Sequence, residues 1–218
     1  MLIAQNITKS YGKLQVLAGV DLQIDAGEIV AIVGASGAGK STLLHILGTL
    51  DAPDRGSLRL EDTDVLRLKG NKLAQFRSQS IGFVFQFHNL LPEFTALENV
   101  CMPAYLAGTP PKQAEKRAQE LLAYLGLTDR MTHIPSQMSG GEQQRTAIAR
   151  ALVNSPKVVF ADEPSGNLDS KNATELHKLF FQLREEFKQT FVIVTHNQDL
   201  AAMSDRVIEM RDGKMTQG

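Results

Sequence analysis

Gly34-Ala35-Ser36-Gly37-Ala38-Gly39-Lys40-Ser41 fits the spacing G-x-x-x-x-G-K-[ST] at every position. Glycines at such intervals let a backbone curl round a phosphate with its N–H groups turned inward. A helix starting there adds unpaired donors and the positive end of its dipole. In that arrangement Lys40 reaches the β- and γ-phosphates of a nucleoside triphosphate, Ser41 binds Mg²⁺, and the Thr42 hydroxyl lies near the α-phosphate. A second cluster is the acid pair Asp162-Glu163, which closes the apolar run Val158-Val159-Phe160-Ala161. Adjacent carboxylates at a strand end point in different directions. That suits Asp162 for holding Mg²⁺ through water and Glu163 for polarising an attacking water. A buried strand seldom ends in two acids without a charge partner, and a Mg²⁺-nucleotide supplies one.

Both clusters need a parallel sheet to hold them. Ile29 to Val33 has the length and branching of a buried strand, and Thr42 to Leu47 has helical spacing, so strand, glycine loop and helix follow in order. Leu2 to Thr8 reads as a strand, and Val20, Leu22 and Ile24 alternate with polar residues as in a half-buried antiparallel one. Further strands are expected at Ser57 to Leu60, Ile81 to Phe85 and Phe191 to Val194, with a closing hairpin from Val207 to Met210 and Lys214 to Thr216. Helices are expected at Lys72 to Ser78, Thr95 to Ala107, Pro111 to Leu125, Gln143 to Val153 and Ser170 to Phe187. Residues 87–154 are mostly helical, so the chain reads as one domain with 1–86 and 155–218 as core and 87–154 as a helical subdomain.

Composition sets bounds. The chain has 218 residues, 23 Lys and Arg against 24 Asp and Glu, and one cysteine. That balance offers no basic excess for nucleic acid. Cys101 alone excludes an internal disulfide and reads as a small buried hydrophobe in a reducing compartment. Met1 to Asn6 lacks the cationic start and apolar core of a signal peptide, and no apolar run reaches the ~18 residues of a membrane span. Any membrane role is expected to come through a partner.

Five weaker signals sit around these clusters. Tyr11, in a loop with Gly12, can stack on adenine with Val16 beside it, or simply cover a core edge. Gln86, at a strand's carboxyl end, can touch Mg²⁺ or the attacking water, or be an ordinary strand-end amide. Ser139-Gly140-Gly141-Glu142 is a capping box that also leaves helix-end N–H groups open to an anion. His196 again ends a strand, where a structural role competes. Phe87, Leu90, Leu91, Pro92 and Phe94 lie on a loop where core packing and an apolar docking site are equally good readings.

These motifs, met together in one order, resolve the alternatives. With Met138-Ser139-Gly140-Gly141-Glu142-Gln143-Gln144-Arg145, the chain resembles the nucleotide-binding subunits of ABC transporters over nearly its whole length. The resemblance implies an α/β P-loop NTPase fold with a RecA-like parallel-sheet core, an antiparallel β subdomain and an α-helical subdomain. It implies ATP and Mg²⁺ as cofactors, with Tyr11 at the aromatic position, Gln86 in the Q-loop, Ser139 to Glu142 as the signature, Asp169 closing the D-loop Gly166-Asn167-Leu168-Asp169, and His196 as the switch histidine. It also implies a head-to-tail pair of copies with each ATP between the glycine loop of one and Ser139-Gly140-Gly141 of the other. Departures are small: Met138 for leucine, Glu142 for glutamine, and Asn197 after the histidine for aspartate.

The segment Gln86 to Val100, together with Ser165 to Asp169, looks like the lipoprotein-releasing subgroup, whose relatives serve macrolide-type and peptide export and cell division. Such a protein is expected on the cytoplasmic face of a bacterial inner membrane, peripheral to transmembrane permease subunits. One of those subunits would dock a coupling helix on Phe87 to Val100. A transport ATPase therefore leads over a cell-division regulator. A soluble ABC protein acting on DNA or ribosomes would be expected to show tandem domains, a long insertion or a basic surface.

Overall fold

Alternating inward and outward side chains build the first hairpin, in which β1 (Leu2–Tyr11) and β2 (Leu14–Ile24) pair antiparallel from Leu2↔Ile24 to Tyr11↔Leu14. Ile7, Leu17, Val20 and Ile24 are fully buried on its inner face. Both strands are longer than their apolar alternation suggests. Tyr11 is not in a loop: it ends β1, and the turn is only Gly12-Lys13, with Gly12 at φ 61°. A tight turn of this kind needs left-handed backbone, and glycine supplies it without steric cost. On the far edge of β1 lies β4 (Arg55–Leu60), followed by the short β5 (Thr63–Asp64), so the sheet runs β2-β1-β4-β5.

The computed structural model describes residues 1–216, and these divide into one unit of 1–74 with the chain from 183 onward, and another of 75–182. The boundaries fall inside α2 (Gly70–Ser80) and α6 (Ser170–Phe187).

Besides the hairpin sheet, the first unit holds β3 (Ile29–Val33) in parallel register between β8 (Thr190–Val194) and β9 (Arg206–Arg211), with β10 (Lys214–Thr216) antiparallel on β9. Ile29 to Ile32 and Phe191 to Val194 are buried to 1% exposure or less, as strands covered on both faces must be. α1 (Lys40–Leu47) buries Leu43, Leu44, Ile46 and Leu47, each contributing about 1.5–3 kcal/mol by leaving water. α7 (Gln198–Met203) escaped the sequence reading because its six residues are too few to show a period; Asn197 caps it, accepting from Leu200 N at 2.9 Å. Asparagine serves as a helix cap as well as the commoner aspartate.

In the second unit, β6 (Ile81–Phe85) and β7 (Val158–Asp162) run parallel, Ile81 beside Val158 and Phe85 beside Asp162. Around them lie α3 (Ala96–Leu106), α4 (Pro111–Tyr124) and α5 (Gly140–Leu152). α5 begins three residues before the expected Gln143, because the Ser139 cap fixes its start and both glycines enter its first turn. Cys101 is buried in α3, and burial pushes its thiol above the usual range.

Candidate nucleotide site

In the first unit the site is one continuous stretch. β3 ends, the chain turns through Gly34 to Gly39, and α1 starts at Lys40. Gly34 has φ 150°, and a Cβ there would stand 2.2 Å from the Met210 carbonyl oxygen of β9. Gly39 has φ 100°, and its Cβ would meet the Val16 carbonyl oxygen at 2.8 Å. The two glycines are thus required by their neighbours as well as by any phosphate, and the second contact sets Val16 against the loop. Ala35, Ser36 and Gly37 are exposed, while Ala38 is buried beneath them. Lys40 Nζ donates to the Gly34 and Ala35 carbonyls at 2.8 and 3.0 Å, which lays the ammonium across the loop mouth. Ser41 is exposed and Thr42 half-buried on the first turn of α1.

Tyr11 is 51% exposed, open enough to stack, yet its hydroxyl is anchored. It donates to Asp51 Oδ2 at 2.6 Å, and Lys9 Nζ donates to Asp51 Oδ1 at 2.9 Å and to the Ala52 carbonyl at 2.6 Å. The Tyr11 hydroxyl and then the Lys9 ammonium hold the Asp51 carboxyl down at about 2. Its bond to Asp51 raises the Tyr11 phenol, and the Thr42 hydroxyl acts on the same phenol in the opposite direction. His196 lies exposed just past β8. Since Val194 is in register with Ile32, it leaves the sheet at the same edge as the glycine loop.

In the second unit the site is assembled from three separate segments. The Phe85↔Asp162 register brings Gln86 and Glu163 to one strand edge. Gln86 Nε2 donates to Asn167 Oδ1 at 3.0 Å and Asn167 Nδ2 donates back to the Gln86 carbonyl at 3.1 Å. Gln86 therefore keeps Oε1 to offer a metal, and Oε1 or its second amide N–H to offer a water. A Cβ on Gly166 would stand 2.8 Å from Gln86 Nε2 and would push that amide aside. Glu163 has φ 47°, a left-handed backbone that costs about 1–2 kcal/mol without glycine. It sits in the turn closed by the Gly166 N–H on the Glu163 carbonyl at 3.0 Å.

The third segment is Ser139 to Glu142. The reciprocal cap is complete: Glu142 N–H donates to Ser139 Oγ at 3.3 Å, and Ser139 N–H donates to Glu142 Oε2 at 2.7 Å. Arg130 Nε donates to the other Glu142 oxygen at 2.8 Å. The Ser139 N–H first, and Arg130 after it, hold the Glu142 carboxyl below its usual range. Buried Gln144 donates to the Pro164 carbonyl at 2.7 Å, tying α5 to the turn behind the acid pair. Behind Gly141, whose Cβ would lie 2.9 Å from Asn172 Oδ1, the Asp169 carboxylate accepts from Asn172 N and Nδ2 at 2.9 and 2.6 Å.

The donor set suits magnesium. Among the described residues no group of three or more His, Cys, Asp or Glu side chains can hold a metal. Mg²⁺ does not ask for one: it keeps several waters and takes one or two protein oxygens plus phosphate oxygens. Ser41 Oγ, Gln86 Oε1 and the Asp162 carboxylate are hard oxygen donors of that kind. Lys9, Asp51, Arg130, Gln144 and Asn167 were not picked out as supporting residues by sequence reasoning. Asn172, three residues after Asp169 at a helix start, carries a local capping signal, whereas the Gln86–Asn167 pair spans 81 positions and carries none.

A family profile described as ABC transporter matches residues 17–166. A Bacteroides fragilis protein called lipoprotein-releasing system ATP-binding protein LolD is 59% identical over 215 residues, 99% of this chain and 100% of its own length. A protein of the same name from Porphyromonas gingivalis is 60% identical over 210 residues, 96% of each chain. A solved dimeric structure of the ATP-binding cassette MJ0796, in a post-hydrolysis state bound to ADP and Pi, superposes with a TM-score of 0.89 at 40% identity, covering 100% of this chain and 98% of that one.

Proposed function

The chain belongs to the ABC transporter family and has its P-loop ATPase fold, and from that premise we propose that it is the ATP-hydrolysing subunit of a bacterial lipoprotein-releasing complex. The observation that carries the reading is the glycine loop between β3 and α1, with Lys40 folded over its mouth. Identity near 60% to lipoprotein-releasing relatives over nearly the full length supports the cargo class.

The chemistry follows from the residues. Tyr11 stacks on adenine with Val16 beside it, and the loop N–H groups from Gly34 to Gly39 surround the phosphates. Lys40 moves from the loop carbonyls to the β- and γ-phosphates, and the Thr42 hydroxyl lies by the α-phosphate. Ser41, Gln86 Oε1 and, through water, Asp162 would hold Mg²⁺, which would supply positive charge against the phosphates. Glu163 orients a water and accepts its proton as the water oxygen bonds to the γ-phosphorus; the bond to the β-phosphate oxygen breaks, leaving ADP and phosphate. His196 contacts the γ-phosphate. Ser139, Gly140, Gly141 and Glu142 of a second copy close the site, with Asp169 beside the seam, so one copy alone holds an incomplete site. ATP binding closes the pair and product release reopens it.

No helix among the described residues is long and apolar enough to cross a membrane. By likeness to the lipoprotein-releasing relatives, the protein works from the cytoplasmic face of the inner membrane by docking transmembrane permease subunits. Phe87 at 74%, Leu91 at 39% and Phe94 at 37% exposure form the apolar surface that such a subunit covers.

The test has two arms. Glu163→Gln should bind ATP and dimerise by light scattering while turnover falls by about 10²–10⁴; wild-type turnover would remove Glu163 from its role. In parallel, the native complex is captured through a tag on this chain and placed in vesicles carrying an acylated protein. ATP-dependent discharge of that protein supports the cargo assignment. ATPase activity with no discharge would leave the family chemistry standing and overturn the lipoprotein reading.

A further inference from the structure

Between β6 and α3 the chain adopts a left-handed backbone at two successive residues. His88 and Asn89 are consecutive non-glycine residues at φ 56° and 50°. Left-handed backbone is unfavourable for L-residues and is usually visited singly, so a tandem pair needs support from outside the segment. The support is one side chain. Arg150, near the end of α5, donates Nη2 to the His88 carbonyl at 2.7 Å and Nη1 to the Asn89 carbonyl at 2.6 Å. It faces no carboxylate among the described ion pairs, and burial pulls its pKa below the ordinary guanidinium value. A desolvated cation spent on two carbonyls is a poor way to gain stability, but a planar fork is well suited to fixing the position of two adjacent peptide units.

The rest of the segment is pinned to α3. Fully buried Asn99 accepts from Leu91 N at 2.7 Å and donates to the Leu91, Phe94 and Thr95 carbonyls at 3.1, 3.0 and 3.0 Å. The exposed apolar side chains of Phe87, Leu91 and Phe94 are thus mounted on a segment with two anchors. One of them is α5, whose opposite end carries Ser139 to Glu142, about 15 Å away at the rise of a helix. A helix of this length is stiff, so moving one end moves the other.

We infer that Arg150 is the positioning residue through which a membrane subunit seated on residues 87–94 sets the placement of Ser139 to Glu142. The inference rests on the docking reading above and adds the route by which docking reaches the nucleotide. Arg150 is not among the groups assigned above to the nucleotide or the reacting water. It registers the docking segment to α5.

The experiment compares wild type, Arg150→Lys and Arg150→Met, each as the isolated chain and as the tag-captured complex in nanodiscs. ATPase rates are measured in both settings, and amide hydrogen exchange is measured at 87–94. Arg150→Met should leave isolated-chain turnover within about twofold, speed exchange at 87–91, and cut the ratio of assembled to isolated rate by about tenfold, the size of a typical coupling between sites. Arg150→Lys, a point charge without the fork, should fall between and decides the matter if the methionine variant does not fold. A merely structural arginine would lower both rates together, leave the ratio unchanged and overturn the inference, as would faster exchange with a wild-type ratio. If the wild-type chain gains nothing from its membrane subunits, the docking reading itself falls and this inference with it. If wild type and both variants gain equally, only the role of Arg150 fails.

Discussion

The two units solve the same problem in opposite ways. In the first, Gly34 to Thr42 is one run of chain whose shape is imposed by what lies against it, the Met210 and Val16 carbonyls. In the second, residues 86, 139–144 and 162–169 come from distant parts of the chain and are held by discrete polar ties: Gln86 with Asn167, Gln144 with Pro164, Glu142 with Arg130. A contiguous site is made rigid by close packing and fails all at once. An assembled site is made rigid by hydrogen bonds and can loosen one bond at a time, which suits loops that must shift during a turnover cycle.

The contrast breaks first at Gly34. A methyl group there would sit 2.2 Å from a main-chain oxygen on β9, where no flexible side chain can give way. Gly34→Ala should destabilise the chain by more than about 4 kcal/mol, in the range reserved for severe backbone or core conflicts. Chemical denaturation would read that loss, and nucleotide binding should vanish with it. A folded Gly34→Ala protein that still binds ATP would show that the loop is shaped by the phosphates and not by its packing.

The same contrast explains what was legible in the sequence. Ile29 to Val33, the glycine loop and the acid pair could be read because strand period, glycine spacing and charge at a strand end are local. The Ser139–Glu142 cap could be read for the same reason. The length of β1, and with it Tyr11's place at a hairpin, could not, since the pairing Tyr11↔Leu14 has only Gly12 to announce it. The start of α5 was misplaced because glycine is a poor helix former and its presence in the first turn depends on the cap. Gln144 and Asn167 stand inside legible motifs and Arg130 in none, but only the fold gives the three their partners.

A smaller effect sharpens the comparison at the assembled half. Asn167→Ala removes both bonds between the D-loop turn and Gln86. Local loosening should cut ATP turnover by about tenfold, the lower part of the range for misplaced catalytic groups. ATP affinity should change little, because Lys40 and the glycine loop are in the other unit. Steady-state kinetics with a separate binding titration would distinguish the two. An equal loss in affinity and turnover would mean that the halves are not independent in binding.

The smallest effect falls on a polar tie in the first unit, the Asp51 anchor of Tyr11. The carboxyl, at about 2, lies below its ordinary value of 3.8 in response to the Tyr11 hydroxyl and Lys9. A depressed carboxylate contributes stability above its unfolded pKa, and that contribution drains away as the pH falls from about 4 through about 2. The Asp51 side chain is 33% exposed, so solvent screening brings its contribution down to about 1 kcal/mol. Asp51→Asn should therefore unfold at lower urea than wild type at neutral pH, and the gap should narrow steadily below pH 4. ATP affinity should fall by about twofold to threefold, since a ring free to swing must be ordered on binding. A gap that persists undiminished at pH 2.5 would assign the loss to packing instead of charge. Unchanged affinity would show that the Tyr11 ring is placed by the hairpin alone.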